Sequence, residues 1–347
     1  MKKLTFWGVV ALMVLATLAC SLGGKATPQP PEATPSPSTG EPTATPVPPS
    51  APTEEAPPPE ISSDVLQHFR SYRARFVLRH TVEGGAAETT TIEQEETREP
   101  AARRMVITVE GGETPGTIEF VQIGDMAWMC TGGECVQTQI SEENLGEFGG
   151  LMLQPEEVTA SSEYRYVGQD TVNGIRSRHY SLDVPQTIFQ KIAEATVTAA
   201  KADLWVADEP GTPSYVTRLR VEWKGQREDG TKVSGDWTYE IYDVNEPFTI
   251  QPPEGAPTMP EDIPIYPQVT EKSMAGNLIM FSTSDSAKDV AEFYRNEMPG
   301  LGWTAGEEGS LGDIITQEWT KNNRKVSLMI TPREEGGCTV MITVEGS

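Results

Sequence analysis

Few side chains of this 347-residue sequence are of the kinds that perform covalent or metal chemistry. It contains four cysteines and three histidines, and the histidines (His68, His80 and His179) are scattered. The sequence has no His-Glu-x-x-His, Gly-x-Ser-x-Gly, Gly-x-x-x-x-Gly-Lys or paired Cys-x-x-Cys pattern, which are the spacings of zinc, nucleophilic-serine, phosphate and thiol sites. The glutamates of the run 93–99 are interpreted as a solvated strand edge and turn. We therefore expect no enzyme, no metal site and no cofactor.

The first cysteine, Cys20, follows a segment of the export type. Lys2 and Lys3 precede an apolar run over 4–19, which is shorter than the roughly 20 residues that span a bilayer and is typical of a secretory signal. The end of this run, Leu18-Ala19-Cys20, resembles the lipobox of bacterial lipoproteins. The resemblance implies that Cys20 is thioether-linked to diacylglycerol and becomes the mature N-terminus. The alternative is a plain signal peptide or a short membrane anchor with an incidental cysteine.

Residues 1–20 are thus predicted to be a lipoprotein signal peptide, and residues 21–60 a stalk. The segment 21–60 contains 13 prolines and no aromatic residue. Such a composition cannot bury enough apolar surface to offset chain entropy, and proline holds the backbone extended. We expect a disordered, semi-rigid tether that holds a folded body away from the membrane. A proline-rich ligand for an SH3-type domain is the alternative.

The overall charge restricts the partners. The sequence has 27 Lys+Arg against 51 Asp+Glu, a formal net charge of −24. This excess disfavours nucleic acid, which is bound through Lys and Arg, and equally disfavours a polybasic contact with anionic lipid. Membrane attachment is instead expected through the lipid on Cys20. The predicted location is extracytoplasmic, with the chain lipid-anchored to the cell membrane.

Alternating patterns dominate the region 61–252. Tyr72, Ala74 and Phe76 share one face of a predicted strand, and Arg73 and Arg75 share the other. Similar runs follow, with Gly and Asp between them, and two stretches with helical patterns interrupt the strands, at 141–159 and at 185–200. Consecutive strands with short turns favour an antiparallel meander.

Two strand pairs of this region carry a family resemblance. The stretch Tyr164–Ile175, followed by His179–Leu182, and the stretch Ala202–Ala207, followed by Arg218-Leu219, are similar to strand pairs of LolA/LppX-like lipoprotein domains. The resemblance implies an α+β fold in which an antiparallel half-barrel is covered by helices, and it implies an apolar cavity that holds lipid or acyl chains. The candidate lining residues are Phe76, Leu78, Met105, Ile107, Phe120 and Trp128 from strands and Leu151, Met152, Ile188 and Phe189 from the helical cover.

The function implied is that of a membrane-anchored lipoprotein that binds or carries lipid. The same apolar residues would serve equally well in an ordinary close-packed core. The alternative is therefore a non-enzymatic cell-surface interaction or structural lipoprotein with a filled core.

The other cysteines have structural interpretations. Cys130 and Cys135 flank Thr131-Gly132-Gly133-Glu134, which reads as a hairpin tip and brings the two thiols near disulfide distance. Outside the cytoplasm such a pair oxidises, whereas a metal site would need two further ligands. Cys338 is left over and is interpreted as a buried structural thiol on a strand.

A second proline-containing linker, 253–260, separates the first domain from a small α+β domain predicted over 261–347. The element order in this domain is read as β-α-β-β-β. Its opening, Ile263-Pro264-Ile265-Tyr266-Pro267, resembles a small domain appended to other exported bacterial lipoproteins, and this resemblance implies no activity. An envelope protein or polymer is the expected kind of partner.

Overall fold

A computed structural model describes residues 61, 63–112, 114–139, 163–183, 195–211 and 213–346. The predicted signal peptide with Cys20, the stalk and the helical-cover candidates Leu151, Met152, Ile188 and Phe189 lie outside the described residues. The described residues from 61 onward belong to one compact unit, Glu55–Ser347.

The described chain is built almost entirely from antiparallel strands. A 3-10 helix, Ser63–His68, opens it, and a single α-helix, α1 (Ala287–Gly300), lies near the end. The strands are β1 (Ser71–Val82), β2 (Ala87–Arg98), β3 (Ala101–Gly111), β4 (Gly116–Ile123), β5 (Met126–Thr131), β6 (Glu134–Gln139), β7 (Glu163–Val172), β8 (Ile175–Asp183), β9 (Thr196–Ala207), β10 (Val216–Gln226), β11 (Lys232–Tyr242), β12 (Glu271–Ala275), β13 (Leu278–Thr283), β14 (Thr304–Leu311), β15 (Ile314–Lys321), β16 (Arg324–Pro332) and β17 (Cys338–Glu345).

These strands pair into one continuous sheet. Its spatial order is β7-β8-β9-β10-β11-β1-β2-β3-β4-β5-β6-β12-β13-β17-β16-β15-β14, and every pairing is antiparallel. The first strand is central because it pairs with both β2 and β11. Strands β6 and β12, which the sequence assigns to different domains, pair through three residues each.

One face of β1 and β7–β11 carries the main core. We call inner the face on which Tyr72, Ala74, Phe76 and Leu78 of β1 lie, and outer the opposite face. Because paired residues of antiparallel strands share a face, the inner face can be followed from strand to strand through the register. One inner row runs through Leu204, Leu219, Tyr239 and Phe76, and the members of this row on β9–β11 are buried. Phe69, just after the 3-10 helix, stacks edge-on against Tyr215 at 5.1 Å and joins the same core.

Two glycines permit close approach of the strands within this sheet. A Cβ on Gly235 of β11 would collide with the backbone oxygen of Arg79 on β1. A Cβ on Gly225 of β10 would lie 2.7 Å from the backbone oxygen of Thr196 on β9. Glycine inside a strand commonly marks such a bend or close backbone contact, so the sheet here requires residues without side chains.

The outer face of β3–β5 is closed by the segment that follows β11. Ala102, Val121 and Trp128 form a buried cluster with Ile250. Phe248 packs against this cluster, and the guanidinium carbon of Arg73 lies 4.2 Å from the centre of the Phe248 ring. The segment 248–256 therefore serves as a cover for the outer face of the sheet.

The last six strands support α1. Ser286 caps the helix by accepting a hydrogen bond from the Asp289 backbone N–H at 3.3 Å. Val290, Ala291, Tyr294 and Met298 lie on the buried side of the helix and pack against one face of β15 and β16. Two strands precede the helix and four follow it, so the structure corrects the predicted order β-α-β-β-β. The strand before β13, β12, is short and carries Lys and Glu among its few apolar residues, which gives a weak strand pattern.

A half-buried ion cluster fixes the start of this region. Asp262 accepts hydrogen bonds from Lys321 Nζ at 2.7 Å and from Arg324 at 2.8 Å, and the Asp262 carbonyl accepts from Trp303 Nε1 at 2.6 Å. Burial by itself would raise the pKa of Asp262, but the bonds from the two cations outweigh it and hold the pKa below its usual value.

The predicted helix over 185–200 is partly a strand. Residues 196–200 belong to β9, and 185–194 lie outside the described residues. Burial alternates over residues 200–204 of β9, with the period of two expected for a strand. The helical reading arose because small apolar residues at 193–200 fit either period.

Candidate functional site

The inner face of β1–β5 brings together most of the predicted lining residues. Phe76 pairs with Ile92 of β2, Ile92 with Ile107 of β3, and Ile107 with Ile118 of β4. The neighbouring row joins Met105, Phe120 and Met129 of β5. Leu78 lies one row further along β1 and packs with Phe76 against the main core. Among the candidates on described strands, only Trp128 is placed elsewhere, since it pairs with Val121 on the outer face.

On β3–β5 several apolar residues of the inner face are more exposed than Val121 of the outer face, although Met105 of the inner face is buried. The outer residue Val121 is 1% exposed because the segment 248–256 covers it. The inner residues Ile107, Ile118 and Phe120 are only half-buried, although they are apolar. A solvent-accessible apolar surface of adjoining strands is typical of a ligand or partner site. The half-buried apolar positions of β3–β5 therefore form the candidate site, which we call the inner apolar surface.

The inner face is not uniform across the sheet. On β9–β11 its residues are fully packed, as Leu204, Leu219 and Val221 are each 0% exposed. On β3–β5 a small pocket of about 30 Å³ opens beside the inner residues. Its lining consists of Arg103, Met105, Phe120, Gln122 and Ala127, together with Val121 and Trp128. The inner face is thus closely packed on β9–β11 and has a small, water-sized opening on β3–β5.

A polar cluster borders the inner apolar surface. Glu96 of β2 pairs in register with Tyr72 on one side and with Arg103 on the other, so all three point to the inner face. Glu96 is 4% exposed. Its carboxylate accepts from the Tyr72 hydroxyl at 2.8 Å and from Gln94 Nε2 at 3.2 Å. The ion pairs are to Arg98 at 2.6 Å and to Arg103 at 3.3 Å.

The environment of Tyr72 keeps its hydroxyl protonated. Burial, followed by the negative charge of Glu96, raises the pKa of Tyr72 well above its ordinary value. The hydroxyl therefore acts as a hydrogen-bond donor to Glu96 at any physiological pH. A donor of this kind satisfies a buried carboxylate without adding charge.

The sequence interpretation of the glutamate run missed Glu96. Glu93 and Glu95 point outward, where they pair with Arg75 and Arg73, as expected for a solvated strand. Glu96 lies on the opposite face of β2 from Glu93 and Glu95, the same face as the apolar residue Ile92. The period of two along β2 was the signal that could have placed Glu96 on the inner face.

The predicted disulfide is present. Cys130 of β5 and Cys135 of β6 are bonded and stand opposite each other in the register, on the outer face. The Cys135 sulfur lies 3.7 Å from the carbonyl oxygen of Glu254, so the bonded hairpin also contacts the segment 248–256. Cys338 is a free, buried thiol at the start of β17. Burial raises the pKa of the Cys338 thiol, which makes it less reactive.

A larger groove on the outer face has a different character. Its volume is about 620 Å³, and it crosses β2, β1, β11, β10 and β9. Opposite charges alternate along it, with Arg79 paired to Asp236 at 3.4 Å and Arg220 to Glu222 at 3.0 Å. This arrangement is typical of a solvated sheet face.

Within the described ranges, no group of three or more His, Cys, Asp or Glu side chains is placed to hold a metal ion. In the same part of the chain, no helix has the length and apolar character needed to cross a membrane.

Comparison with known proteins gives a partial family match and several structural neighbours. A family model described as START domain-like matches residues 265–337. No curated protein matches the chain. The lipoprotein LppX of Mycobacterium tuberculosis is similar at 17% identity and a TM-score of 0.32, over 54% of this chain and 93% of LppX. The MucA/MucB complex of Pseudomonas aeruginosa is similar at 11% identity and a TM-score of 0.24, over 82% of this chain and 93% of that chain.

A third neighbour is a LolA-superfamily protein of Nitrosomonas europaea, at 9% identity and a TM-score of 0.19, over 53% of this chain and 93% of that chain. LppX and the LolA superfamily are also the names of the family that the Tyr164–Leu182 motifs resemble. The three TM-scores are below 0.5, and the three identities are below 25%.

Proposed function

We propose that the protein is an extracytoplasmic lipoprotein, anchored to the cell membrane through Cys20, that binds the acyl chains of a lipid on its inner apolar surface. One observation carries the proposal. Strands β3–β5 bury their outer face under the segment 248–256 and leave Ile107, Ile118 and Phe120 of the inner face half-buried. Contact with a hydrocarbon chain would remove this apolar surface from water.

The composition of the surface suits such a ligand. Met105 and Met129 lie on either side of Phe120 in one cross-strand row. Methionine is unbranched and flexible, so it adapts to apolar chains of varied shape.

Adjacent residues of β3 provide a matched test of lipid binding. Ile107 faces inward and Val106 faces outward, and both are half-buried. Placing an amide in an apolar contact costs on the order of 1–3 kcal/mol, so Ile107→Gln should weaken binding of a fluorescent fatty acid about tenfold or more. Val106→Gln should leave binding within about twofold. Equal losses in the two folded variants would contradict the location of the site.

Native mass spectrometry of protein purified from membranes tests the function directly. We expect a co-purified lipid on the wild type and less of it on Ile107→Gln. The anchor is tested separately with Cys20→Ala, which should release the protein from the membrane fraction while purified protein keeps its lipid affinity. A Cys20→Ala variant that still partitions with membranes would refute the anchor.

A second candidate function rests on the packed part of the inner face. Leu204, Leu219 and Val221 leave no room for a ligand on β9–β11. If native mass spectra show empty protein and fatty acids do not bind, the filled-core alternative applies. The protein would then be a non-enzymatic surface lipoprotein that contacts an envelope protein or polymer.

A further inference from the structure

We propose that the lipid bound on the inner apolar surface is an anionic amphiphile, whose carboxylate or phosphate group is held by Arg103. This inference rests on the proposed function and specifies its ligand class. It is carried by the charge balance of the polar cluster around Glu96, by the position of that cluster at one end of the apolar rows, and by the pocket that Arg103 helps to line.

The cluster has one more positive than negative charge. Glu96 is the only carboxylate among the described inner-face residues in contact with it, and Arg98 and Arg103 both pair with that carboxylate. The bond from Arg98 reaches Oε1, whereas Tyr72, Gln94 and Arg103 all approach Oε2. Three groups therefore share Oε2, and the Nε–H of Arg103 has no hydrogen-bond acceptor.

The geometry of Arg103 leaves donors for a second anion. Its Nε lies 3.3 Å from Glu96 Oε2 but forms no hydrogen bond there, and this atom is buried. A buried donor without an acceptor is costly, so Glu96 does not fully satisfy the guanidinium of Arg103. The side chain of Arg103 is 33% exposed, so a ligand can reach it. A guanidinium presents five N–H groups, which match the paired oxygens of a carboxylate or phosphate.

The apolar rows extend from Arg103 in the direction an acyl chain would take. On β3 the inward residues after Arg103 are Met105, Ile107 and Val109. At about 3.3 Å per residue, this run covers about 20 Å, the scale of one long acyl chain. The small pocket beside Arg103 is lined by Met105 and Phe120, so the charged and apolar binding features adjoin.

The charge of the whole protein makes this positive position selective. A formal net charge of −24 repels anions from most of the surface. An excess guanidinium beside the apolar rows is therefore a local site at which an anion is attracted. Uncharged lipids of the same chain length would gain the apolar contacts without the ion pair.

Arg103 and Arg104 form a matched pair for the test. Arg104 follows Arg103 on β3, points outward, and pairs with Glu119 at 2.6 Å and with Glu95 at 3.5 Å. Its side chain is 36% exposed, close to the value for Arg103. We would measure displacement of a fluorescent fatty acid by palmitate, by monohexadecyl phosphate and by 1-hexadecanol, using the full chain purified without its lipid.

The wild type should bind palmitate or hexadecyl phosphate at least tenfold more tightly than 1-hexadecanol. Arg103→Gln should reduce this preference to about twofold or less, with the preference measured within the variant as the ratio of its affinity for the anionic ligand to its affinity for 1-hexadecanol. Arg104→Gln should keep the full preference. Arg103→Lys, which retains the charge, should restore part of it. Circular dichroism and thermal unfolding would establish that each variant is folded.

The outcomes separate the two proposals. If the wild type binds none of the three ligands, the proposed function fails. If it binds all three equally, and Arg103→Gln changes nothing, the lipid-binding function stands and the anionic assignment is overturned. Stabilisation of the wild type by inorganic phosphate to the same extent as by hexadecyl phosphate would show a site for a free anion and would also overturn the head-group assignment.

Discussion

The cover on the outer face should contribute a measurable part of the stability of the sheet. Ile250 belongs to the segment 248–256 and is 6% exposed in the cluster with Val121 and Trp128. Ile250→Ala removes three buried carbons, at about 0.8 kcal/mol each, and leaves a cavity under a segment that has no strand partners. We expect the free energy of unfolding to fall by about 3 kcal/mol.

Urea unfolding followed by circular dichroism would measure this loss. Leu311→Ala is the control, because Leu311 is 78% exposed at a hairpin tip and its truncation should change stability by less than about 0.5 kcal/mol. Ile250→Ala and Val121→Ala should also be coupled. The loss of unfolding free energy in the double variant should differ from the sum of the two single losses by at least about 0.5 kcal/mol. A loss below about 1 kcal/mol for Ile250→Ala, or strict additivity, would refute the inference that the segment closes the outer face.

Three further predictions concern the remaining structural features. Asp262→Asn should lower stability by about 2 kcal/mol at neutral pH. Because the folded pKa of Asp262 is lowered, its contribution is present above the ordinary carboxyl pKa and is lost as pH falls through the lowered value, so unfolding of the variant should depend less on acid than that of the wild type. Gly235→Ala should lower the free energy of unfolding by about 3 kcal/mol, because the new Cβ would collide with the backbone of β1. Gly116→Ala is the control, because a Cβ there meets open space, and it should change the urea midpoint little. Replacing Cys130 and Cys135 by Ser should cost about 2 kcal/mol or less, because the loop they close is short, and a reducing agent should shift the wild type toward the variant.

Local patterns predicted most of the strands. The alternation of Tyr72, Ala74 and Phe76 correctly indicated a strand with one apolar face, and the Gly-Gly between Cys130 and Cys135 correctly indicated a hairpin closed by a disulfide. These features depend on residues close in sequence. Period and turn chemistry are sufficient to specify them.

The arrangement of faces depended on contacts that the sequence does not display. Trp128 reads as an inward residue on hydrophobicity alone, but Ile250, more than a hundred positions away, supplies a partner for it on the outer face. Pairing of β6 with β12 is equally distant and could not be read from either strand. The alternation of side chains along β2 could have placed Glu96 on the inner face. Its contact with Arg103 could not be predicted without the register between β2 and β3.

The pairing of β6 with β12 bears on how readily copies of this protein aggregate through their strand edges. Each of these strands would otherwise expose a row of free amide and carbonyl groups, and such rows recruit neighbouring chains into intermolecular sheets. Within the described residues, their pairing leaves only β7 and β14 as outermost strands. Each of the two carries a register irregularity, at Tyr166/Gly168 and at Ala305/Glu308, and bulges of this kind twist a rim away from a flat partner. The outermost strands of the described sheet are therefore poorly shaped for pairing with a strand of another molecule.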